Sequence, residues 1–359
     1  MHSRKLLRTL HGTPADRSTP SRKAEHLRIN IECDVAAKGV SSGFDAYALT
    51  HRALPEMDLA EVDTSVELFG RRLAVPLLVS CMTGGTPQAR DINRRLARVA
   101  QRYGMAMGLG SARALLERPE LLETYDVRDE APDIVILANL GAVQLNRGYD
   151  AAQCRRLVQM QRADALVLHL NPLQEALQPE GDTCFAGLLD RIARLCERSQ
   201  VPIVVKEVGW GIAPGDVRAL FDAGVAAIDV AGAGGTSWSE VERERIGEPW
   251  RARVARAFAG WGIPTAQCLV AAREAAPEQT LVASGGIRDG VDAVKALALG
   301  ADLVGVAGPF LRAAAAGEDE AASLACELVE TLRVAMFALG VRTPRELRSA
   351  GVIHREARA

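Results

Sequence analysis

Three polar side chains stand where apolar runs break into turns: Asn139 after Ile134–Ala138, His169 near the end of Ala165–Leu170, and Lys206 after Ile203-Val204-Val205. A lysine is costly to bury unless it is paired. Lys206 therefore meets a carboxylate of a neighbouring strand, or it lies beneath an electron-rich ring or an anion. The Asn139 amide suits the edge of a planar heterocycle. His169 suits an anionic substrate or is a satisfied strand-end histidine. The run His169-Leu170-Asn171-Pro172-Leu173-Gln174-Glu175 leads to Pro179-Glu180-Gly181-Asp182. Glu175 can hold a hard cation that bridges to phosphates, since Mg²⁺ takes one or two carboxylates plus substrate oxygens. Gln174 is no strong base, but it can orient a proton donor. The plain alternatives are a loop amide and a solvated acid.

Glycine clusters follow other apolar runs: Gly234-Gly235-Thr236, Ser284-Gly285-Gly286-Ile287-Arg288 and Ala307-Gly308. A single double glycine is usually a tight turn. Two clusters after the last two runs, with a short helix behind, make the phosphate cradle common in barrel enzymes. Cys81-Met82-Thr83-Gly84-Gly85 and Gly110-Ser111-Ala112-Arg113 end earlier runs. Arg22-Lys23-Ala24-Glu25-His26 is either a solvated helix start or a mobile basic arm that closes over a diphosphate.

The elements that would position these groups alternate. Eight continuous apolar runs read as buried parallel strands: Val75–Ser80, Met105–Leu109, Ile134–Asn139, Ala165–Leu170, Pro202–Glu207, Ala227–Ala231, Leu281–Ser284 and Leu303–Ala307. Helical spacing marks Ala89–Tyr103, Asp216–Ala223 with Asp216 as N-cap, Val291–Leu299 and Ala321–Leu339. The fold class is α/β, a closed (β/α)8 TIM barrel. An open Rossmann sheet would want a G-x-G-x-x-G after its first strand, and the sequence has none there. Residues 1–21 are expected to be a flexible extension, 22–345 a single barrel domain that carries the site, and 346–359 a C-terminal tail. Residues 22–74 should flank or lid one end. Residues 236–262, with Trp238, Trp250 and Trp261, form an insertion after strand six that should wall or cover the substrate site.

Lys and Arg total 43 and Asp and Glu total 45 among 359 residues, a net charge of -2. That balance gives no case for nucleic acid or an acidic membrane as the main partner. The seven cysteines form no C-x-x-C pair, which points to a reducing, cytoplasmic setting. No uncharged apolar run is long enough to span a membrane.

Taken together, nine runs resemble the type 2, flavin-dependent isopentenyl-diphosphate isomerases: RKAEH, CMTGG, LGSAR, ANLGA, LHLNPLQE with PEGD, KEVGWG, DVAGAGGTSW, SGGIR with KALALGA, and AGPF. The resemblance runs from about Arg22 to Leu311. It implies flavin mononucleotide (FMN), NADPH as its reductant, Mg²⁺, and interconversion of isopentenyl and dimethylallyl diphosphate. By motif, Arg22, Lys23, Ser111, Arg113 and His169 would hold the diphosphate, Gln174 would lie by the reacting carbons, and Glu175 would bind Mg²⁺. Cys81, Met82, Thr83, Ser111, Asn139, Lys206, Ala231, Thr236, Gly285, Gly286, Ile287, Arg288, Ala307 and Gly308 would surround the flavin. The resemblance also implies a homo-oligomer, a tetramer or octamer. Two positions depart from the pattern: Ala112 replaces a glutamine and Ala231 a small hydroxyl residue. Moving a double bond needs a proton added at one carbon and removed from another, through a cation-like species. A reduced flavin supplies both an acid and an electron-rich face, and Lys206 would favour its anionic form. The rivals are a flavin oxidoreductase, which needs a His or Cys base, and a relative that protonates or cyclises a larger isoprenoid.

Overall fold

The computed structural model describes residues 19–356. All eight apolar runs become strands: β1 (Leu77–Val79), β2 (Ala106–Gly108), β3 (Ile136–Gly141), β4 (Ala165–His169), β5 (Ile203–Lys206), β6 (Ala227–Asp229), β7 (Thr280–Ser284) and β8 (Leu303–Val306). They form a closed parallel barrel, and β8 returns to β1 with Val304 opposite Leu77 and Val306 opposite Val79. The expected TIM barrel is the observed fold. β3 runs on to Gly141 instead of stopping at Asn139, because it pairs with β4 as far as His169.

Strand alternation explains where the barrel keeps its chemistry. Leu78, Ala106, Leu137, Val167, Val204, Ala227, Val282 and Leu303 form an apolar layer inside the barrel. Two residues further along each strand, on the same face, stand Ser80, Gly108, Asn139, His169, Lys206, Asp229, Ser284 and Gly305. The barrel interior thus changes from apolar to polar within one pleat. The other strand face packs on the surrounding helices through residues such as Val79, Leu168, Val205, Ile228 and Val304.

Residues 22–74 serve both ends of the barrel, not one. The hairpin Val66–Leu68 and Arg71–Leu73 turns through Phe69 (φ +50°) and Gly70 (φ +76°). Positive φ at both turn positions makes a type I′ turn. Phe69 tolerates it because its ring joins Leu68 and Leu73 against the apolar layer and closes the barrel floor. The helix Thr19–Glu32 lies at the opposite end, against the helices Trp238–Arg245 and Gly308–Ala316.

Two further expectations are corrected. Asp216 is not an N-cap: the helix starts at Pro214, with Ala213 capping and Asp216 in the first turn. Proline at that first position loses no hydrogen bond. Residues 346–356 are no loose tail, since Ile353–Arg355 pairs antiparallel with Tyr47–Leu49. Residues 1–18 of the expected N-terminal extension lie outside the described residues, and the chain is already helical from Thr19.

Candidate active site

The C-terminal ends of the strands open on a cavity of 820 Å³, within the ~300–1,000 Å³ usual for small-molecule sites. Every residue expected at the site lines it. Cys81, Asn139, His169 and Lys206 form the floor, and Arg22 and Lys23 come from the N-terminal helix. Met82, Thr83, Ser111, Arg113, Gln174, Glu175, Ala231 and Thr236 contribute walls. Gly285, Gly286, Ile287, Arg288, Ala307 and Gly308 complete the far side.

That far side is built backbone against backbone. A Cβ on Gly285 would lie 2.1 Å from the Gly232 carbonyl oxygen, and one on Gly286 would lie 2.6 Å from that of Gly234. Both glycines have positive φ, +103° and +72°. The helix Gly308–Ala316 starts at the same wall, so its N-terminal dipole faces the cavity. Thr236 Oγ1 lies 3.5 Å and an Arg312 guanidinium nitrogen 3.3 Å from a Cβ placed on Gly308. This cradle fits a phosphate. Arg288 contributes less than expected: its backbone N–H and guanidinium both bond Asp292, and Nη2 reaches Asp45. Gly84 and Gly85 have a different job. A Cβ on Gly84 would lie 2.0 Å from the Tyr125 ring, so these glycines make room for that buried tyrosine.

The near side is cationic. The expected arm is a docked helix. Arg22 Nη1 donates to Gln178 Oε1 at 3.2 Å. Lys23 Nζ donates to the Ser111 carbonyl at 2.6 Å and to the Tyr125 hydroxyl. Burial, then repulsion from Arg22 and Arg113, pulls Lys23 down to about 7. His169 falls to about 4, by burial and then the Lys206 and Lys23 charges. It is a neutral imidazole whose Nδ1 lies 2.8 Å from Asn139 Oδ1. Cations crowded in this way fit a polyanion that is to be bound. Above pH 7 Lys23 is mostly neutral, and a bound diphosphate raises its proton affinity. Binding of inorganic diphosphate well above pH 7 is therefore expected to be accompanied by proton uptake at Lys23, and by less of it well below pH 7. Calorimetry in buffers of different ionisation enthalpy checks this. Equal uptake by Lys23→Met would refute it.

Glu242, which the sequence reading passed over, organises the wall behind Gln174. Its side chain is 0% exposed. Oε1 accepts from His26 Nε2 and Gln174 Nε2, both at 3.0 Å, and Oε2 accepts from Arg245 at 2.6 Å. Burial opposes its charge, but His26, Arg245 and Gln174 together leave the carboxyl below its ordinary value. Arg245 also bonds Glu180 at 2.6 Å. Asn171 Nδ2 donates to Gln174 Oε1 at 3.1 Å, which settles the amide's orientation. Glu175 is fixed by Asn171 at 3.0 Å and by the Asp182 N–H at 2.6 Å.

The sequence profile of the FMN-dependent dehydrogenase family matches residues 15–118 and 145–354. The isopentenyl-diphosphate delta-isomerase of a Nostoc species is 48% identical over 337 residues, 94% of this chain and 96% of its own. That of a Synechococcus species is 51% identical over 339 residues, 94% of this chain and 97% of its own. The Stutzerimonas stutzeri isomerase is 49% identical over 341 residues, 95% and 99% of the two chains. This chain belongs to the type 2, FMN-dependent isopentenyl-diphosphate delta-isomerases.

Membership in that isomerase family sits on an oxidase-like scaffold. A mandelate oxidase structure superposes with a TM-score of 0.64 at 20% identity, covering 94% of this chain and 96% of its own. A putative lactate oxidase of Pediococcus acidilactici gives 0.66 at 16%, covering 96% and 97%. These likenesses carry the fold alone. No helix among the described residues is long and apolar enough to cross a membrane.

Of the two features expected to reshape the isomerase pocket, Ala112 does not reach it and the insertion reaches it only in part, through Thr236 and Trp238. Ala112 is fully buried off the cavity. Of the insertion's tryptophans only Trp238 lines the cavity, edge-on to His26 at 5.2 Å. Trp250 and Trp261 are 42% and 60% exposed. Besides Glu242, sequence reading missed His26, Tyr125 and Asp229. His26 lay inside a quoted motif and Asp229 inside an apolar strand. Glu242 stands in the polar run Ser239-Glu240-Val241-Glu242-Arg243, where nothing marks it out.

Proposed function

We propose that the chain interconverts isopentenyl and dimethylallyl diphosphate by a 1,3-allylic proton transfer, with FMN primed by NADPH and with Mg²⁺ on the diphosphate. One observation carries the reading: a glycine phosphate cradle and a roof of Arg22, Lys23 and Arg113 line the same cavity. The cradle suits the flavin's phosphate and the roof suits a second, separate polyanion. When bound and reduced, FMN supplies a proton donor and acceptor beside the alkene and negative charge against the cation it becomes.

The chain's own groups do the rest. Arg22, Lys23, Ser111, Arg113 and His169 hold the diphosphate. Glu175 offers one fixed carboxylate, which leaves the other positions around Mg²⁺ to substrate oxygens and water. Gln174, locked between Asn171 and Glu242, orients the proton at the reacting carbons. Met82, Val143 and Leu311 line the cavity and exclude water from the cation. The flavin would be held by Lys206 on the cavity floor and by Asn139, Cys81, Met82, Thr83, Ala231, Thr236, Ile287 and Arg288, which line the same cavity. In this reading the enzyme is cytoplasmic, in keeping with its free cysteines, and a homo-oligomer, tetramer or octamer.

The reaction leaves the substrate's oxidation level unchanged. Oxidised enzyme should be inactive, and a single stoichiometric reduction should start many turnovers. NADPH consumed per product, counted anaerobically, is expected to approach zero. A ratio near one would make the protein an oxidoreductase and sink this reading.

A further inference from the structure

Lys206 is held from two sides, and only one of them is an acid. Its Nζ donates to the Glu207 carbonyl at 2.9 Å and lies 3.6 Å from Asp229 Oδ2. The two side chains are 12% and 3% exposed. Asp229 Oδ1 accepts from the Ser284 hydroxyl at 2.7 Å and from the Ala231 N–H at 3.2 Å. The second contact accompanies a left-handed Ala231, φ +38°, a conformation alanine seldom adopts. Oδ2 is buried without a hydrogen bond. So one oxygen is clamped by neutral donors, and the other is left facing the ammonium.

A buried carboxylate with an unsatisfied oxygen is expensive, and an apolar pair in its place would suit stability at least as well. One layer below, the same strands make do with apolar side chains, Ala227 and Val282. We infer that Asp229 is a positioning residue: from inside the barrel it aims the Lys206 ammonium at the flavin's pyrimidine edge. This rests on the flavin lying over Lys206, as in the proposed function. Without Asp229, the ammonium keeps the Glu207 carbonyl and turns toward it, away from the ring.

The sign of one shift separates this role from a plain field effect. Removing a nearby negative charge that acts only through space makes a reduced flavin easier to deprotonate. Losing an aimed ammonium makes it harder. The groups facing Lys206 are Asp229 on β6, Cys81 after β1, His169 on β4 and Glu207, the residue after β5. Burial pushes Cys81 up to about 11, and His169 lies at about 4, so neither titrates near neutrality. Burial lifts Glu207 to about 7 against the Trp210, Gly209 and Val208 N–H groups, and it is common to every variant compared.

The test uses FMN-loaded wild type, Asp229→Asn, Lys206→Met and the double variant, reduced anaerobically and titrated across neutral pH. Absorbance reports the balance of anionic and neutral reduced flavin. Asp229→Asn should move the midpoint upward by roughly one pH unit, the lower end for an opposite charge in contact. Lys206→Met should move it in the same direction, and the double variant no further than Lys206→Met. A downward or absent shift in Asp229→Asn overturns the inference. An unmoved midpoint in Lys206→Met instead shows that the flavin does not lie over Lys206, which fails the underlying reading first. If Asp229→Asn does not fold, Ser284→Ala frees the carboxylate to turn and should also move the midpoint upward. No movement there overturns the inference equally.

Discussion

Glu242→Gln is expected to lower kcat by roughly 100-fold, the scale of a misplaced catalytic group, while the bound flavin's spectrum stays as in the wild type. Glu242 does not line the cavity. It acts through Gln174 and His26, which share its Oε1. A glutamine keeps the shape but carries only one acceptor oxygen. If that oxygen stays with His26 and Gln174, the new amide faces the Arg245 guanidinium, donor to donor. If it flips, Gln174 loses its anchor. The same substitution should destabilise the fold by about 3 kcal/mol, the low end for breaking a buried ion pair. The low end applies because Arg245 keeps Glu180 at 2.6 Å. Steady-state kinetics and urea unfolding measure the two effects. Full activity in a measurably destabilised protein would reduce Glu242 to a structural role.

Gly285→Ala should weaken FMN binding by roughly 100-fold. The added methyl would lie 2.1 Å from the Gly232 carbonyl oxygen and 2.9 Å from Thr265 Oγ1. Neither the backbone nor the short threonine can swing away. The residue also has φ +103°, which alanine does not hold without strain. Overpacking and backbone strain together come to on the order of 3 kcal/mol, and each 1.4 kcal/mol is about tenfold in affinity. The wall carrying the flavin phosphate must open to admit the methyl. Gly215→Ala is the control, since nothing lies within 4 Å of a Cβ there. Fluorescence quenching of added FMN reads both. Unchanged affinity in Gly285→Ala would show that the cradle is not the phosphate site.

Much of the site was legible because strand ends and glycine turns are local. A buried parallel strand must be apolar until its C-terminal end, so Asn139, His169 and Lys206 stood out against their own runs. The glycines at 285 and 286 stood out because few other residues adopt those backbone angles. Partners across the barrel had no such signal. Glu242 meets His26 216 positions away and Gln174 68 positions away. Lys206 had two open readings, an acid on the next strand or a ring above it. The register of β5 on β6 sets Lys206 opposite Asp229 and supplies the acid, while the cavity above supplies room for the ring.

What the sequence by itself determined was the alternation of eight buried strands with helices, the polar ends of those strands, and the family those motifs resemble. Each is carried by nearest neighbours along the chain, where periodicity and backbone preference act. Tertiary structure alone decided that residues 22–74 close both ends of the barrel and that Arg288 is committed to Asp292 and Asp45. It alone decided that Gly84 makes way for Tyr125 and that Ala112 lies off the cavity. Those outcomes depend on barrel closure and strand register, which bring distant residues within hydrogen-bonding reach. In a water-poor interior such contacts fix which charges survive and where they point.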